Sequence, residues 1–280
     1  PIRHAVIFGG VSQYHQVRAL RDGVDILVAT PGRLMDLMEQ GHVNLESIDF
    51  FILDEVDRML DMGFIPDIRK ILQEVPDERQ TLFFSATLSG KIKELAQKMV
   101  VNPVKIEIEP EKPAVDRIRQ SLYFVDNENK LDLLSTLFAE GANGKTIIFT
   151  QMKHAANKLS DKLERQGISS TAIHGNKSQA ARTKALNGFK RGNFQVMVAT
   201  DVAARGLDVD DITHVINYDM PTEAETYVHR IGRTARAGAD GDAISFCSAE
   251  DRALLSDVER HLGMNVQVIT EHDYHSEAAS

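Results

Sequence analysis

Residues Tyr227–Gly238 read YVHRIGRTARAG. Arg230, Arg233 and Arg236 stand at i, i+3 and i+6, with His229 beside the first. On a helix this spacing aims basic side chains roughly one way. Planar guanidinium groups suit bidentate contact with phosphate oxygens. A bare R-x-x-R-x-x-R is as often a solvated basic face. Here Gly232, Thr234 and Gly238 are interleaved, and glycine lets a main chain come close to a ligand. Such a stretch needs acids and a phosphate cradle elsewhere in the chain to be of use.

Two strings lie just upstream. Ala199–Asp208 reads ATDVAARGLD, an apolar strand end followed by a hydroxyl, carboxylates and a glycine. A carboxylate can accept from ribose hydroxyls. His174–Arg182 reads HGNKSQAAR and puts Gln179 and Arg182 at i, i+3, on one helix face. Alone, it reads as a solvated helix start.

The first half supplies acids. Phe50–Asp57 reads FFILDEVD, an apolar strand delivering carboxylates at its end. This is the Walker B arrangement, in which one acid holds Mg²⁺ through its water shell and a neighbour orients a hydrolytic water. We assign Asp54 to the metal and Glu55 to the water. A lone D-E-x-D is more often an acidic helix start. Ser85-Ala86-Thr87 follows an apolar strand, and alone would read as a helix N-cap. Gly9-Gly10 and Thr30-Pro31-Gly32-Arg33 also follow apolar runs. Amides near glycines, one hydroxyl and one arginine can hold a phosphodiester chain without reading bases.

In order from Gly9 to Gly238, the series GG, TPGR, DEVD, SAT, HG with QxxR, ATDVAARGLD and HRIGRTARAG resembles the motif set of the superfamily 2 DEAD-box ATP-dependent RNA helicases. DMGFIPDIR (61–69) together with HGNKSQAAR looks most like the bacterial RhlE-type branch. The resemblance implies two RecA-like domains, with ATP and Mg²⁺ as cofactors and one RNA strand gripped through its backbone. ATP would close the cleft and kink the strand, parting short duplexes or remodelling RNA–protein complexes. Hydrolysis would release the RNA. Gly9, Gly10, Thr30, Gly32, Arg33, Gly175, Gln179, Arg182 and Thr200 would face RNA. Gly206 and Asp208 would approach the ribose. Arg233 and Arg236 would bind ATP as arginine fingers, and His229 would link the γ-phosphate site to the acids. The Ser85 and Thr87 hydroxyls would bond Asp57 and transmit the nucleotide state.

Three positions depart from the family pattern. Val56 stands for the usual Ala, and Met152 (in IIFTQM) for a Thr or Ser. Ala235 replaces a Gly, which is harmless on a helix but costs stability where φ is positive. The Q motif and P-loop are absent from these 280 residues and are expected upstream of Pro1. Ala139–Thr146 (AEGANGKT) imitates a P-loop, but it follows a helix and opens a strand. A working P-loop does the reverse, so Lys145 is rejected as a phosphate ligand. Two rival readings are a non-catalytic RNA-binding module that has lost its ATPase half and a DNA helicase of the same superfamily.

Composition restrains the RNA reading. The net charge is −9 and the pI about 5.6. Residues 1–116 hold 13 Lys and Arg against 19 Asp and Glu, and residues 117–280 hold 19 against 22. Neither half offers a bulk electrostatic grip, so RNA must be held by a local groove. The single Cys247 excludes an internal disulfide framework. A reducing, cytoplasmic setting is expected, with no signal peptide and no membrane-spanning run.

Strand-like and helix-like runs alternate from His4 onward. They predict an α/β fold with parallel sheets covered by helices. The expected layout is a first RecA-like domain over 1–108, N-terminally truncated, and a linker at 109–116. A second RecA-like domain follows at 117–265, then a polar tail at 266–280. Val104–Ile108 reads as the last strand of the first domain, whose sheet is expected to show an uncovered edge and apolar face. EPEKPAVD (109–116) has two prolines and three acids, the composition of a solvated linker. Limited proteolysis should therefore cut first between Pro110 and Val115. A protected linker with first cuts elsewhere would argue for one fused domain.

Overall fold

A computed structural model describes residues 2–88, 90–107, 117–142, 144–204, 209–235 and 240–280. The chain divides into two compact units, 1–108 and 109–280. The linker expected at 109–116 lies outside the described residues. Among those described, no helix is long and apolar enough to cross a membrane.

Unit 1 runs β1 (His4–Ile7), α1 (Tyr14–Arg21), β2 (Ile26–Ala29), α2 (Pro31–Glu39), β3 (Phe50–Leu53), α3 (Val56–Asp61), α4 (Ile65–Gln73), β4 (Gln80–Phe83) and α5 (Gly90–Met99). The strands form two separate parallel ladders, β1 with β2 and β3 with β4. Successive strand residues face opposite ways. One set, with Ile7 and Leu53, meets Leu34, Leu37 and Ile71 in one cluster and Val56, Ile68, Leu95 and Met99 in another. The other set, Val6, Ile26, Val28, Phe50 and Ile52, is about half exposed. In this unit the helices cover one face only, as expected of a sheet that shows an apolar side. The strand expected at Val104–Ile108 is not formed over 104–107; Ile108 lies outside the described residues. Val104 and Ile106 are exposed, and a strand with no neighbour to bond has nothing to hold it.

Unit 2 runs β5 (Ile118–Phe124), α6 (Lys130–Ala139), β6 (Lys145–Phe149), α7 (Lys153–Arg165), β7 (Ser170–Ile173), α8 (Gln179–Lys190), β8 (Val196–Ala199), α9 (Asp201–Ala204), β9 (Ile212–Asn217), α10 (Ala224–Ile231), β10 (Gly241–Cys247), α11 (Arg252–Leu262) and β11 (Gln267–Ile269). These form a seven-stranded sheet in the order β11-β5-β10-β9-β6-β8-β7, parallel at every pairing. Ile148 and Val198 face Leu133, Leu134, Ala156 and Leu163 of α6 and α7. Ile147, Phe149 and Met197 face Phe189, Ala203 and Ala204 on the other side. Central strands buried on both faces read as unbroken apolar runs, which is why IIF and VMVA show no alternation.

The polar tail expected at 266–280 is corrected. β11 adds to the sheet edge through β5. Beyond it, the Ser276 amide donates to the Phe124 carbonyl (3.0 Å) and its hydroxyl to Asp126 (2.7 Å). Val266 and Ala279 are buried against α11 and β5. A three-residue strand is too short to announce itself by periodicity.

Unit 1 should be the less stable part. Amides of β1–β4 are expected to exchange hydrogen faster than those of β6, β8 and β9, which lie inside a two-faced core. Equal protection in both units would overturn this.

Candidate functional site

In unit 1 the GG, TPGR, DEVD and SAT strings each lie at the carboxyl end of a parallel strand, while DMGFIPDIR spans the end of α3 and the start of α4. β1 ends at Gly9-Gly10, β2 at Thr30–Arg33, β3 at Asp54-Glu55 and β4 at Ser85–Thr87. In open α/β sheets this edge is where ligands bind.

Asp54 accepts the Glu55 amide on Oδ1 (2.9 Å). Glu55 has φ 52° and ψ 49°, left-handed backbone that costs a non-glycine residue roughly 1–2 kcal/mol. Its carboxylate pairs with Arg58 at 2.7 Å. Val56 is fully buried, so the departure from Ala is absorbed by core packing. Its amide donates to the Phe84 carbonyl (3.1 Å), and the Phe84 amide to Leu53 (2.8 Å). These bonds lace the β3 and β4 loops together. The expected Asp57 contact is present but differs in kind. The Thr87 main-chain N–H, not a hydroxyl, donates to Asp57 Oδ2 (3.2 Å), and the Ser85 hydroxyl donates to the Thr87 carbonyl (2.7 Å).

Arg33 is turned inward. It donates to Gln16 Oε1 and to the Val11 carbonyl, each at 3.0 Å, and lies 3.4 Å from Asp36. Gln16 in turn bonds both the amide and the carbonyl of Phe8 at 3.1 Å. Arg33 thus braces the glycine turn, using donors the sequence assigned to RNA. Gln16 was not singled out by its sequence context. Gly10 needs its positive φ of 78°. A Cβ on Gly9, Gly32 or Gly175 would meet nothing within 4 Å, so neither clash nor crowding demands glycine there.

In unit 2, α10 ends at Ile231 with Gly232 as its C-cap. The helical face expected from Arg230 and Arg233 is therefore corrected, because Arg230 is on the helix and Arg233 lies past its end. Arg230 is 1% exposed. It donates to both Asp201 carboxylate oxygens (2.6 and 2.8 Å), to Asn217 Oδ1 (3.0 Å) and to the Asp219 carbonyl (2.7 Å). Its guanidinium also lies over Phe149, 4.9 Å from the ring centroid. His229 and Arg233 line a shallow cleft with Phe149, Asp201, Ala204, Thr226 and Arg230. Arg233 Nε donates to the His229 carbonyl (3.3 Å).

Thr200 is nearly buried, and its carbonyl accepts the Ala203 and Ala204 amides that open α9. Thr234 is an anchor inside the fold, its hydroxyl donating to the Ile212 carbonyl. A Cβ on Gly241 would sit 2.1 Å from that hydroxyl, which excludes any side chain there. Ala235 has φ 55°, so the costly alternative applies: roughly 1–2 kcal/mol of backbone strain, offset in part by the buried methyl. Arg182 Nη1 donates to Gln179 Oε1 (3.3 Å). Met152 is exposed at the start of α7 and gives no side-chain cap. Lys145 opens β6 and donates to the Lys190 carbonyl (3.0 Å). That geometry agrees with its rejection as a P-loop lysine.

Gly206, Asp208 and Arg236 lie outside the described residues. Among the described residues, no cluster of three or more His, Cys, Asp or Glu could hold a metal. Mg²⁺ commonly takes one or two carboxylates plus phosphate oxygens, and the exposed Asp54 fits that pattern.

Comparison with known proteins gives a consistent picture. The model of the DEAD/DEAH box helicases matches residues 1–95, and that of the helicase conserved C-terminal domain matches 129–238. The chain is 43% identical to the ATP-dependent RNA helicase RhlB of Xanthomonas axonopodis pv. citri over 270 residues, 95% of this chain and 47% of that protein. It is 42% identical to the Escherichia coli O157:H7 protein of the same name, over 95% of this chain and 64% of that one. The chain thus spans about half the length of the first of these relatives. Saccharomyces cerevisiae Dbp5 bound to RNA and ADP BeF3 superposes with a TM-score of 0.82 at 31% identity, covering 96% of this chain and 70% of that one. These bacterial relatives carry the RhlB name, so the RhlE-type branch expected from DMGFIPDIR and HGNKSQAAR is corrected to RhlB.

His174, beside Gly175, is buried with neither ring nitrogen bonded. Burial, then Lys177 and Lys153, hold it below its ordinary pKa. Burial also lowers His214 and His272. The fold disfavours the protonated form of each, so each takes up a proton more readily unfolded. Their contribution is therefore complete above about pH 6.5, and is lost as pH falls from there toward the lowered folded values. Unit 2 should melt at a lower temperature at pH 5.5 than at pH 7.5, and His174→Asn should flatten part of that slope. A pH-independent melting temperature would contradict this.

Proposed function

The chain belongs to the DEAD-box RNA helicase family, and from that membership we propose that the protein carrying it uses ATP binding and hydrolysis to unwind short RNA duplexes or remodel RNA–protein complexes. The observation that carries the reading is the delivery of Asp54, Glu55, Thr87, Gly175 and Thr200 by carboxyl ends of parallel strands, the edge where such sheets hold ligands.

When bound, ATP supplies the phosphoryl group and Mg²⁺ its charge neutralisation. Asp54 would hold the ion through water. Glu55, fixed by its strained backbone and the Asp54 bond, orients the attacking water and takes its proton. Arg233 and Arg236 place positive charge where negative charge develops, an effect worth ~10³-fold or more in related sites. By the family resemblance His229 would act with Arg233 on the γ-phosphate side, and Gly206 with Asp208 would hold the ribose. Asp57, bonded through the Thr87 amide, carries the nucleotide state to the β4 loop.

RNA is held through its backbone by Gly9, Gly10, Thr30, Gly32, Gly175, Gln179, Arg182 and Thr200, with Arg33 bracing the first turn. Open space around Gly9, Gly32 and Gly175 suits close approach of a phosphodiester. These are positioning contacts, independent of sequence. With a net charge of −9, RNA affinity should depend on salt less steeply than that of a basic protein. A cytoplasmic setting fits the lone Cys247, whose thiol burial pushes up to about 11.

The test is steady-state ATPase with and without RNA. These 280 residues contain no strand-to-helix P-loop, and positioning supplies nearly all of phosphoryl-transfer catalysis. The chain alone should therefore show no RNA-stimulated turnover, whereas the full-length protein should. There, Glu55→Gln should abolish turnover while sparing ATP binding, and Arg233→Ala should slow it ~10³-fold with RNA affinity kept. Turnover by the 280 residues alone would reopen the case for Lys145. Stimulation by DNA equal to that by RNA would overturn the RNA reading.

A further inference from the structure

We propose that Arg230 is a positioning residue that transmits RNA binding at Thr200 to His229 and Arg233, acting through its paired bond to Asp201. This rests on the reading of Thr200 as RNA-facing and of His229 and Arg233 as ATP-facing.

Arg230 is among the largest fully buried side chains of the chain. Its guanidinium stays charged at any ordinary pH, and burying a charge is costly unless it is matched. Here the match is unusually complete. Nε and Nη2 grip the two Asp201 oxygens, while Nη1 reaches Asn217 and the Asp219 carbonyl. The face of the ion rests on Phe149. One side chain therefore ties together the ends of β6, β8 and β9.

A buried ion pair is a poor device for stability alone, since apolar residues of similar volume often serve as well or better. What it adds is geometry, because a fork-to-fork pair fixes distance and orientation together. The bonds on either side make that geometry useful. Thr200 and Asp201 are consecutive, and the Thr200 carbonyl is locked by the Ala203 and Ala204 amides. A displacement of Thr200 must therefore carry the Asp201 carboxylate with it. On the far side, the Arg233 amide donates to the Arg230 carbonyl (3.0 Å) and its Nε to the His229 carbonyl (3.3 Å). The route from Thr200 to Arg233 is thus one peptide bond, one bidentate pair and one hydrogen-bonded turn.

The test compares Arg230→Lys, Asp201→Asn and the double variant Arg230→Lys with Asp201→Glu in the full-length protein. The longer Glu compensates for the single-point reach of Lys. Each single variant is expected to keep basal ATPase and the KM for ATP within about twofold of wild type and RNA affinity within about threefold. Each should lose at least about tenfold of the RNA stimulation of kcat, and the double variant should regain part of it. A second readout uses the 280-residue chain with an oligo(U) probe. RNA should slow hydrogen exchange at the Arg233 and Thr234 amides in wild type but not in Asp201→Asn. Folded single variants with full RNA stimulation would overturn the proposal. So would basal rate, stimulated rate and melting temperature falling together, which marks a merely structural pair. A wild-type protein without RNA-stimulated ATPase would instead sink the function proposed above.

Discussion

Parallel strand pairing is the constraint on which everything else here rests. Parallel neighbours cannot be joined by a tight hairpin, so each connection must cross back over the sheet, usually as a helix. Every strand then starts at one edge and finishes at the other. In unit 2 this brings Phe149, Ile173, Ala199 and Asn217 to a common edge, though they are far apart in sequence. β6 sits between β8 and β9, with the chain leaving toward β7 on one side and arriving at β10 on the other. That reversal opens a crevice at the strand ends, and Arg230 fills its floor.

The same constraint leaves the two units unequally finished. Unit 2 has helices on both faces, so Ile147 and Ile148, which point opposite ways, are both fully buried. Unit 1 has helices on one face. Val6, Val28, Phe50 and Ile52 point the other way and stay about half exposed. Fully burying a side chain of this kind is worth about 1.5–3 kcal/mol, so the first unit forgoes several such gains. Its acids nevertheless sit on a firm base, because Leu53, Val56 and Ile68 close the core beneath them.

Much of the fold was legible because apolar runs and glycine-rich turns alternate so regularly. The strand at Ser170–Ile173 and the helix after Ser178, whose hydroxyl caps the Ala181 amide, are readable from residue type alone. What escaped was direction. Arg230, Arg233 and Arg236 look like one face only if the helix continues, and Gly232 ends it. Arg33 and Arg230 share a chemical type with phosphate ligands, yet both turn inward because a carboxylate or amide from a distant segment receives them. Gln16 and Asp201 are those receivers: nothing in the local sequence marks Gln16, and the string that contains Asp201 does not say which distant side chain it receives. The Asp57 contact was legible as a pair of residues but not as an amide bond, because pattern records side chains and is silent on the main chain. β11 escaped for want of length.

Strain offers an independent view of where rigidity is needed. Glu55 and Ala235 both hold left-handed backbone without being glycine, at roughly 1–2 kcal/mol each. Such conformations persist only where the surroundings over-determine them. At Glu55 the amide is held by Asp54, the next amide by Phe84 and the carboxylate by Arg58. At Ala235 the preceding Thr234 is bonded to the start of β9, and the methyl is packed among residues of α10, α11 and β5. Asn102 and Asp211 also hold positive φ, but Asn and Asp tolerate it best; Glu55 and Ala235 do not share that tolerance, and each lies near a group assigned to phosphate chemistry, Asp54 in one unit and Arg233 in the other. A chain free to relax at these points would blur the aim of those groups. Catalysis by positioning tolerates little such blur, since a misplacement of about 1 Å can cost ~10²-fold in rate. In the proposed mechanism the backbone strain and the buried Arg230 pair therefore serve one end: each holds, at some cost in stability, the direction of a side chain assigned to phosphate.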